Sequence, residues 1–297
     1  MSFIYGALYS YADLTGPGAL GLVGRALDTD PDLRPSRLDT KVPPRRRVES
    51  SAEVMAEAEA EAAGFAEDLY LWWRDSGAGG EGGLTVLADH RRPQDVYFGI
   101  KEDWLRDQEH RERLAAWILG VCDAHDSYFG DFYWTTVTND HLVELVVSHR
   151  RRARRADVQL PNASGSRNES RYLWPHRWLI YLGPSYVRRF GEDTVSRLGV
   201  RQDWSANGGA LVWNSLDPFL HVPDAKTSLD YPYVQSWIDA LGPNTVIHEE
   251  FKPAKQGELL PTRAEHEAAT RPVDRRYLPG HQPGLREPDE DVGPSSG

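Results

Sequence analysis

Residues 172–219, YLWPHRWLIYLGPSYVRRFGEDTVSRLGVRQDWSANGGALVWNSLDPF, decide how this chain is read. Trp174 to Leu182 is an aromatic and aliphatic run that reads as a strand. Pro184 to Phe190 reads as a short helix ending at Gly191. Ala210 to Leu216 reads as a second strand, entered through Gly208 and Gly209. No catalytic cluster accompanies these elements, so the stretch speaks for architecture before chemistry.

Working outward, the N-terminal half supplies more of the same elements. Phe3 to Tyr11 reads as a strand, and a loop with a short helix follows around Gly18 to Leu27. Thr29 to Val48 is rich in proline and arginine and reads as extended, irregular chain. Ser50 or Ser51 can cap a long helix whose apolar face runs Val54, Ala58, Ala62, Phe65, Leu69 and Trp73. The glycines of DSGAGGEGG (75–83) stop that helix. Leu84 to Ala88 and Val96 to Ile100 read as a hairpin, and Glu102 to His125 as a second helix. Tyr128 to Val137 is another aromatic strand, and His141 to His149 fits either helix or strand. An arginine run at 150–155 leads into PNASGSRNES, a flexible basic loop spanning about 150–171. Pro232 to Leu241 is the last clear helix.

These elements predict an α+β fold, a mostly antiparallel sheet flanked by helices, in one large domain over 1–251. Residues 252–297 carry little apolar periodicity and read as a disordered tail. At 297 residues and 40% hydrophobic content, the chain can bury a full core. Its start lacks a basic n-region and reads as a strand, and no apolar run approaches the roughly 20 residues that span a bilayer. One cysteine, Cys122, excludes an intramolecular disulfide and suits a reducing compartment, so the expected location is the cytoplasm.

The net charge of −11 is uneven: residues 51–147 hold 20 acids against 7 bases, whereas 148–171 hold 7 bases against 2 acids. Bulk negative charge disfavours nucleic acid and steers basic partners inward. It equally keeps helix faces soluble, and both readings stay open. Glu53, Glu57 and Glu61 recur every four residues and share one helix face, angled away from the Val54–Ala58–Ala62 stripe.

Three chemical motifs compete with bland readings. Gly16, Pro17, Gly18 and Gly21 match the dinucleotide fingerprint between a strand and a helix, with Asp39 about 20 residues on. Pro17 removes an amide from the phosphate cradle, which favours a plain glycine turn. Cys122 and His125 place a thiol near an imidazole, but Cys122 shares the apolar stripe of Ile118 and reads as core. No histidine spacing matches a metal site, so no metal and no cofactor are expected. Ten tryptophans can fill a large aromatic core or supply interface anchors.

The Trp178–Gly191 segment resembles an "aromatic strand, Leu-Gly/Ser-Pro, glycine-ended helix" pattern. Gly208 to Pro218 is similar to the "G-G-ALL-Q-x-x-x-x-P" element of bacterial immunity proteins of type VI secretion and polymorphic-toxin systems, the DUF3396 and Imm52-like families. The likeness covers about 172–245 and departs from the pattern at Trp213-Asn214, where a glutamine is common. It implies an α/β fold that neutralises a cognate toxin by stoichiometric binding, with no catalysis of its own. The toxin is expected to present a basic surface, met by Glu53, Glu57 and Glu61, or by Trp204, Trp213 and His221 in the second half. No membrane or nucleic-acid contact is expected. The competing expectations are a nucleotide-binding enzyme or sensor built on the Gly16–Gly21 loop, and a non-catalytic adaptor in a bacterial conflict system.

Overall fold

A computed structural model of the chain describes residues 3–15, 17–61, 68–86, 94–135, 173, 177–219, 233–242 and 263–269. Strand β1 (Phe3–Ser10) is the key to the layout, because it is buried on both sides. Ile4 and Leu8 point into one core, while Ala7 and Tyr9 point into a second. Such alternation needs neighbours on both edges and cover on both faces. The edges are filled by β5 (Gln94–Lys101) and β6 (Ser127–Thr135), both antiparallel to β1, with Ala7 facing Tyr97 on one side and Asp131 on the other.

The remaining strands extend this centre in both directions. β2 (Pro35–Asp39), β3 (Leu69–Asp75) and β4 (Glu81–Val86) lead up to β5. β7 (Leu179–Leu182), β9 (Ala210–Trp213) and β8 (Arg201–Trp204) continue beyond β6. The nine-stranded order is β2-β3-β4-β5-β1-β6-β7-β9-β8, and every pairing is antiparallel. The α+β expectation therefore holds.

Helices cover the first face along its length. α1 (Ala19–Leu27), α2 (Ser51–Glu61), α3 (Glu102–Leu105) and α4 (Gln108–His125) bring Leu20, Val23, Met55, Leu105, Leu114 and Ile118 onto Ile4, Leu8, Phe98 and Phe132. Trp117 packs edge-on against Phe98 at 4.9 Å, and its indole N–H donates to the Leu27 carbonyl. On the second face, α5 (Pro184–Phe190), α6 (Glu192–Val195) and α7 (Val234–Leu241) cover β6, β7 and β9. They do so with Tyr186, Val187, Val195 and Trp237. Gly183 joins β7 to α5 because the chain passes so close to Tyr128 that a Cβ there would lie 2.6 Å from its carbonyl oxygen.

Four expectations need correction. The helix starting at Ser51 is described only to Glu61, and Leu69 and Trp73 belong to β3 instead. The run LYLWWRD sends Leu71 and Trp73 into the first core and Trp72 into the second. A pleated strand buries bulky rings on both faces in this way, whereas a helical stripe buries only one. The stretch 29–48 is not wholly irregular, since β2 pairs with β3 through Leu38 and Trp73. The hairpin pairs as expected, Leu84 against Val96, but β4 starts inside the glycine run, at Glu81. The tail contains helix α8 (Arg263–Ala269), anchored where Arg188 donates to the Ala268 carbonyl. The segment 141–149, the arginine run at 150–155 and PNASGSRNES lie outside the described residues.

Candidate functional site

The expected binding residues fall at three separate places. Trp213 is buried to 1% exposure in the first core. Its indole N–H donates to Asp203 Oδ2 at 2.8 Å, its ring meets Trp178 edge-on at 5.7 Å, and the Arg201 guanidinium lies over it at 4.9 Å. Arg201 also pairs with Glu112 of α4 at 2.6 Å, tying the hairpin to the helix layer. Trp213 is thus a core residue and cannot anchor a partner. Trp204, the last residue of β8, is 42% exposed. His221 lies outside the described residues.

On α2 the spacing behaves as expected: Glu53, Glu57 and Glu61 are exposed, while Val54 and Ala58 are buried. The middle carboxylate is shared, because Arg46 pairs with Glu57 at 2.8 Å and holds its acid below the ordinary carboxylate range.

The fourth acid of α2 settles the fate of the glycine loop. Glu59 turns back across the start of α1, accepting from Gly18 N–H at 2.6 Å and Leu20 N–H at 3.2 Å. A carboxylate there occupies the amides and the positive helix end that a phosphate would use. Dinucleotide sites also stand at the carboxyl ends of parallel strands, whereas β1 is antiparallel to both neighbours. NAD and ATP should therefore bind no tighter than about millimolar, well short of a specific site. Calorimetry showing micromolar binding that disappears in Gly18→Val would overturn this.

Cys122 and His125 are both fully buried. Burial pushes the thiol up, and the imidazole is pushed down to about 4 by the same cause, so neither carries charge near neutrality. His125 Nδ1 is hydrogen-bonded to Ser127 Oγ at 2.9 Å. Nearby, Asp123 accepts from the Ala206 and Asn207 amides, and Tyr181 donates to Asn207 in the turn between β8 and β9. This polar seam pins the hairpin to α4 through Asp123, and truncating the wholly buried, Ser127-bonded His125 should cost more than the roughly 1 kcal/mol typical of a packing loss.

The histidine gives a pH signature with a definite sign. Between about 4 and 6.5 only the unfolded chain protonates this imidazole, so the wild type loses stability as pH falls through that window. Asp75, raised to about 6 by burial, acts in the opposite direction, so the comparison must be made with a His125→Asn variant. From pH 7 to pH 4 the wild type should lose up to about 3 kcal/mol more than the variant, measured by denaturant unfolding. Equal losses would contradict the buried neutral state.

One feature of the second face escapes any sequence reading. Cross-strand register places Tyr133, Tyr5, Gly99, Glu81 and Arg74 in one row, and Asp131, Ala7, Tyr97, Gly83 and Trp72 in the next. Gly82 and Gly99 line a hollow that Tyr5, Trp72 and Tyr97 wall and the Val42–Pro44 segment borders. Its volume is ≈ 50 Å3, room for a few waters or the tip of an inserted side chain. Trp72 and Tyr97 meet edge-on at 5.8 Å. Beside them, Arg177 pairs with the buried Asp131 at 2.9 Å and lies 3.9 Å over the Tyr133 ring. The signal was the glycine spacing opposite aromatic residues, which becomes visible only once β3 is recognised as a strand.

Among the described residues, no group of three or more His, Cys, Asp or Glu is placed to hold a metal ion, and no helix is long and apolar enough to cross a membrane. Fold and surfaces together define an α+β protein built around a single broad antiparallel sheet with helices on both faces. The chain is similar in fold to a solved structure, Pseudomonas aeruginosa T6SS protein PA0821, with a TM-score of 0.52 at 12% identity. The match covers 89% of this chain and 80% of that one. No family model matches the chain, and no curated protein matches it.

Proposed function

We propose that this chain is an immunity protein of a type VI secretion system, neutralising a cognate toxin in the cytoplasm by stoichiometric binding and without catalysis. The observation that carries the reading is the fold likeness, over most of both chains, to a protein named for that system. The exposed acidic row of α2 supports a partner with a basic surface, since complementary charge speeds capture. The Cys122–His125 pair adds no chemistry to this reading, because both groups are buried and uncharged.

An adaptor that delivers an effector to the secretion apparatus would share the fold likeness but leave the effector active. Growth rescue separates the two. Cells expressing a toxin encoded beside this gene should survive when this chain is co-expressed. Protection should persist in Cys122→Ser, whose substitution touches only the core. Death despite normal levels of both proteins favours the adaptor, and protection lost in a folded Cys122→Ser variant favours an enzyme.

A further inference from the structure

The two edges of the sheet are finished differently. At β2 the chain covers its own edge: Leu38 N–H donates to Arg46 O, Val48 N–H donates to Ser36 O, and Arg37 bridges to Arg47. At β8 the only strand neighbour among the described residues is β9. Among the described residues that edge carries no further strand, and such an edge is a template for another.

The phase of β8 fixes which groups are offered. Ser205 N–H donates to Gly209 O, and antiparallel bonding alternates residue by residue. Arg201 and Asp203 therefore turn their backbone groups towards β9, while those of Gln202 and Trp204 face away. The side chains alternate as well. Arg201 and Asp203 lie on the first face around Trp213, and Trp204 falls on the second, 42% exposed; Val200 precedes the strand at a bulge where its N–H donates to Trp213 O, and stands outside this alternation.

Within β8, Arg201-Gln202-Asp203 is complementary to itself when reversed. We propose that two copies of this chain pair antiparallel through β8 about a two-fold axis at Gln202, forming a homodimer with one continuous sheet. Arg201 of each copy then faces Asp203 of the other, and the two Gln202 backbones exchange hydrogen bonds. An isologous interface needs this reciprocity, and opposite charges directly across strands stabilise the pair. The cis partners of Arg201, Glu112 and Asp203, hold its guanidinium in place for the second carboxylate. Trp204 then serves self-association rather than toxin capture, so the inference stands independently of the immunity reading.

Sedimentation velocity on the full chain, from a few to a few hundred micromolar, should show a monomer–dimer equilibrium. Gln202→Lys and Gln202→Glu each place like charges on the axis and should weaken the dimer at least about tenfold, and each also gives up the Gln202 amide bond to the Leu198 carbonyl, so the two variants are compared with each other as well as with the wild type. Mixing the two variants should restore dimers, now heterodimers, because Lys then faces Glu. A wild type that stays monomeric throughout would overturn the proposal. So would a dimer insensitive to both variants, or variants that fail to pair when mixed.

Discussion

Replacing Trp213 with alanine should destabilise the protein by about 3–5 kcal/mol, the range for deleting a large buried ring. The indole fills the junction of β7, β8 and β9, and its N–H satisfies Asp203. Its loss leaves a cavity beside Trp178, an Asp203 Oδ2 without its indole donor and an Arg201 guanidinium without its ring. Against a typical total of 5–15 kcal/mol, such a change removes much of the margin. Trp204→Ala should move stability by less than about 1 kcal/mol, because the side chain is 42% exposed at the sheet edge. Chemical denaturation of the two variants checks the contrast, and equal effects would contradict the burial pattern of the β8–β9 hairpin.

Reversing Glu53, Glu57 and Glu61 together to lysine should slow toxin association at least about tenfold and flatten its salt dependence. Charge at the periphery of an interface acts mainly on the encounter rate. The structure refines the expectation: Glu57 already shares its charge with Arg46, so Glu53 and Glu61 should account for most of the effect. Folding stability should hardly change, since exposed helix charges and pairs contribute little. Stopped-flow association at two salt concentrations distinguishes the outcomes. Unchanged kinetics would move the interface away from α2, with the aromatic hollow around Tyr5, Trp72 and Tyr97 as the next surface to test.

Much of the architecture was legible because strands and helices announced themselves by period. β1, β5, β6 and β7 read correctly from alternating aromatic and aliphatic residues, and α5 from its closing glycine, while the single helix read over Glu102–His125 is two, α3 and α4, parted where Asp107 caps α4. β3 did not. Val54, Ala58, Ala62, Phe65, Leu69 and Trp73 extend a 3.6-residue period through a segment whose aromatic pair, Trp72-Trp73, serves two opposite cores. β8 was invisible for a different reason. Its four residues are polar or edge-facing, and they become a strand only because β9 pairs with them. Surfaces were harder than elements. The exposure of Glu53, Glu57 and Glu61 followed from spacing, but nothing local distinguished the buried Trp213 from the exposed Trp204. Glu59, which closes the glycine loop, acts across 41 residues of chain, beyond the reach of any motif.

The most direct measurement takes the proposed partner, the product of a toxin gene adjoining this one, and titrates it calorimetrically into the purified full chain, followed by an assay of toxin activity on the same mixture. Immunity by direct binding predicts saturation at one toxin per chain, with activity extinguished at that equivalence point. An absence of saturable binding, or a saturated complex whose toxin remains fully active, would contradict it.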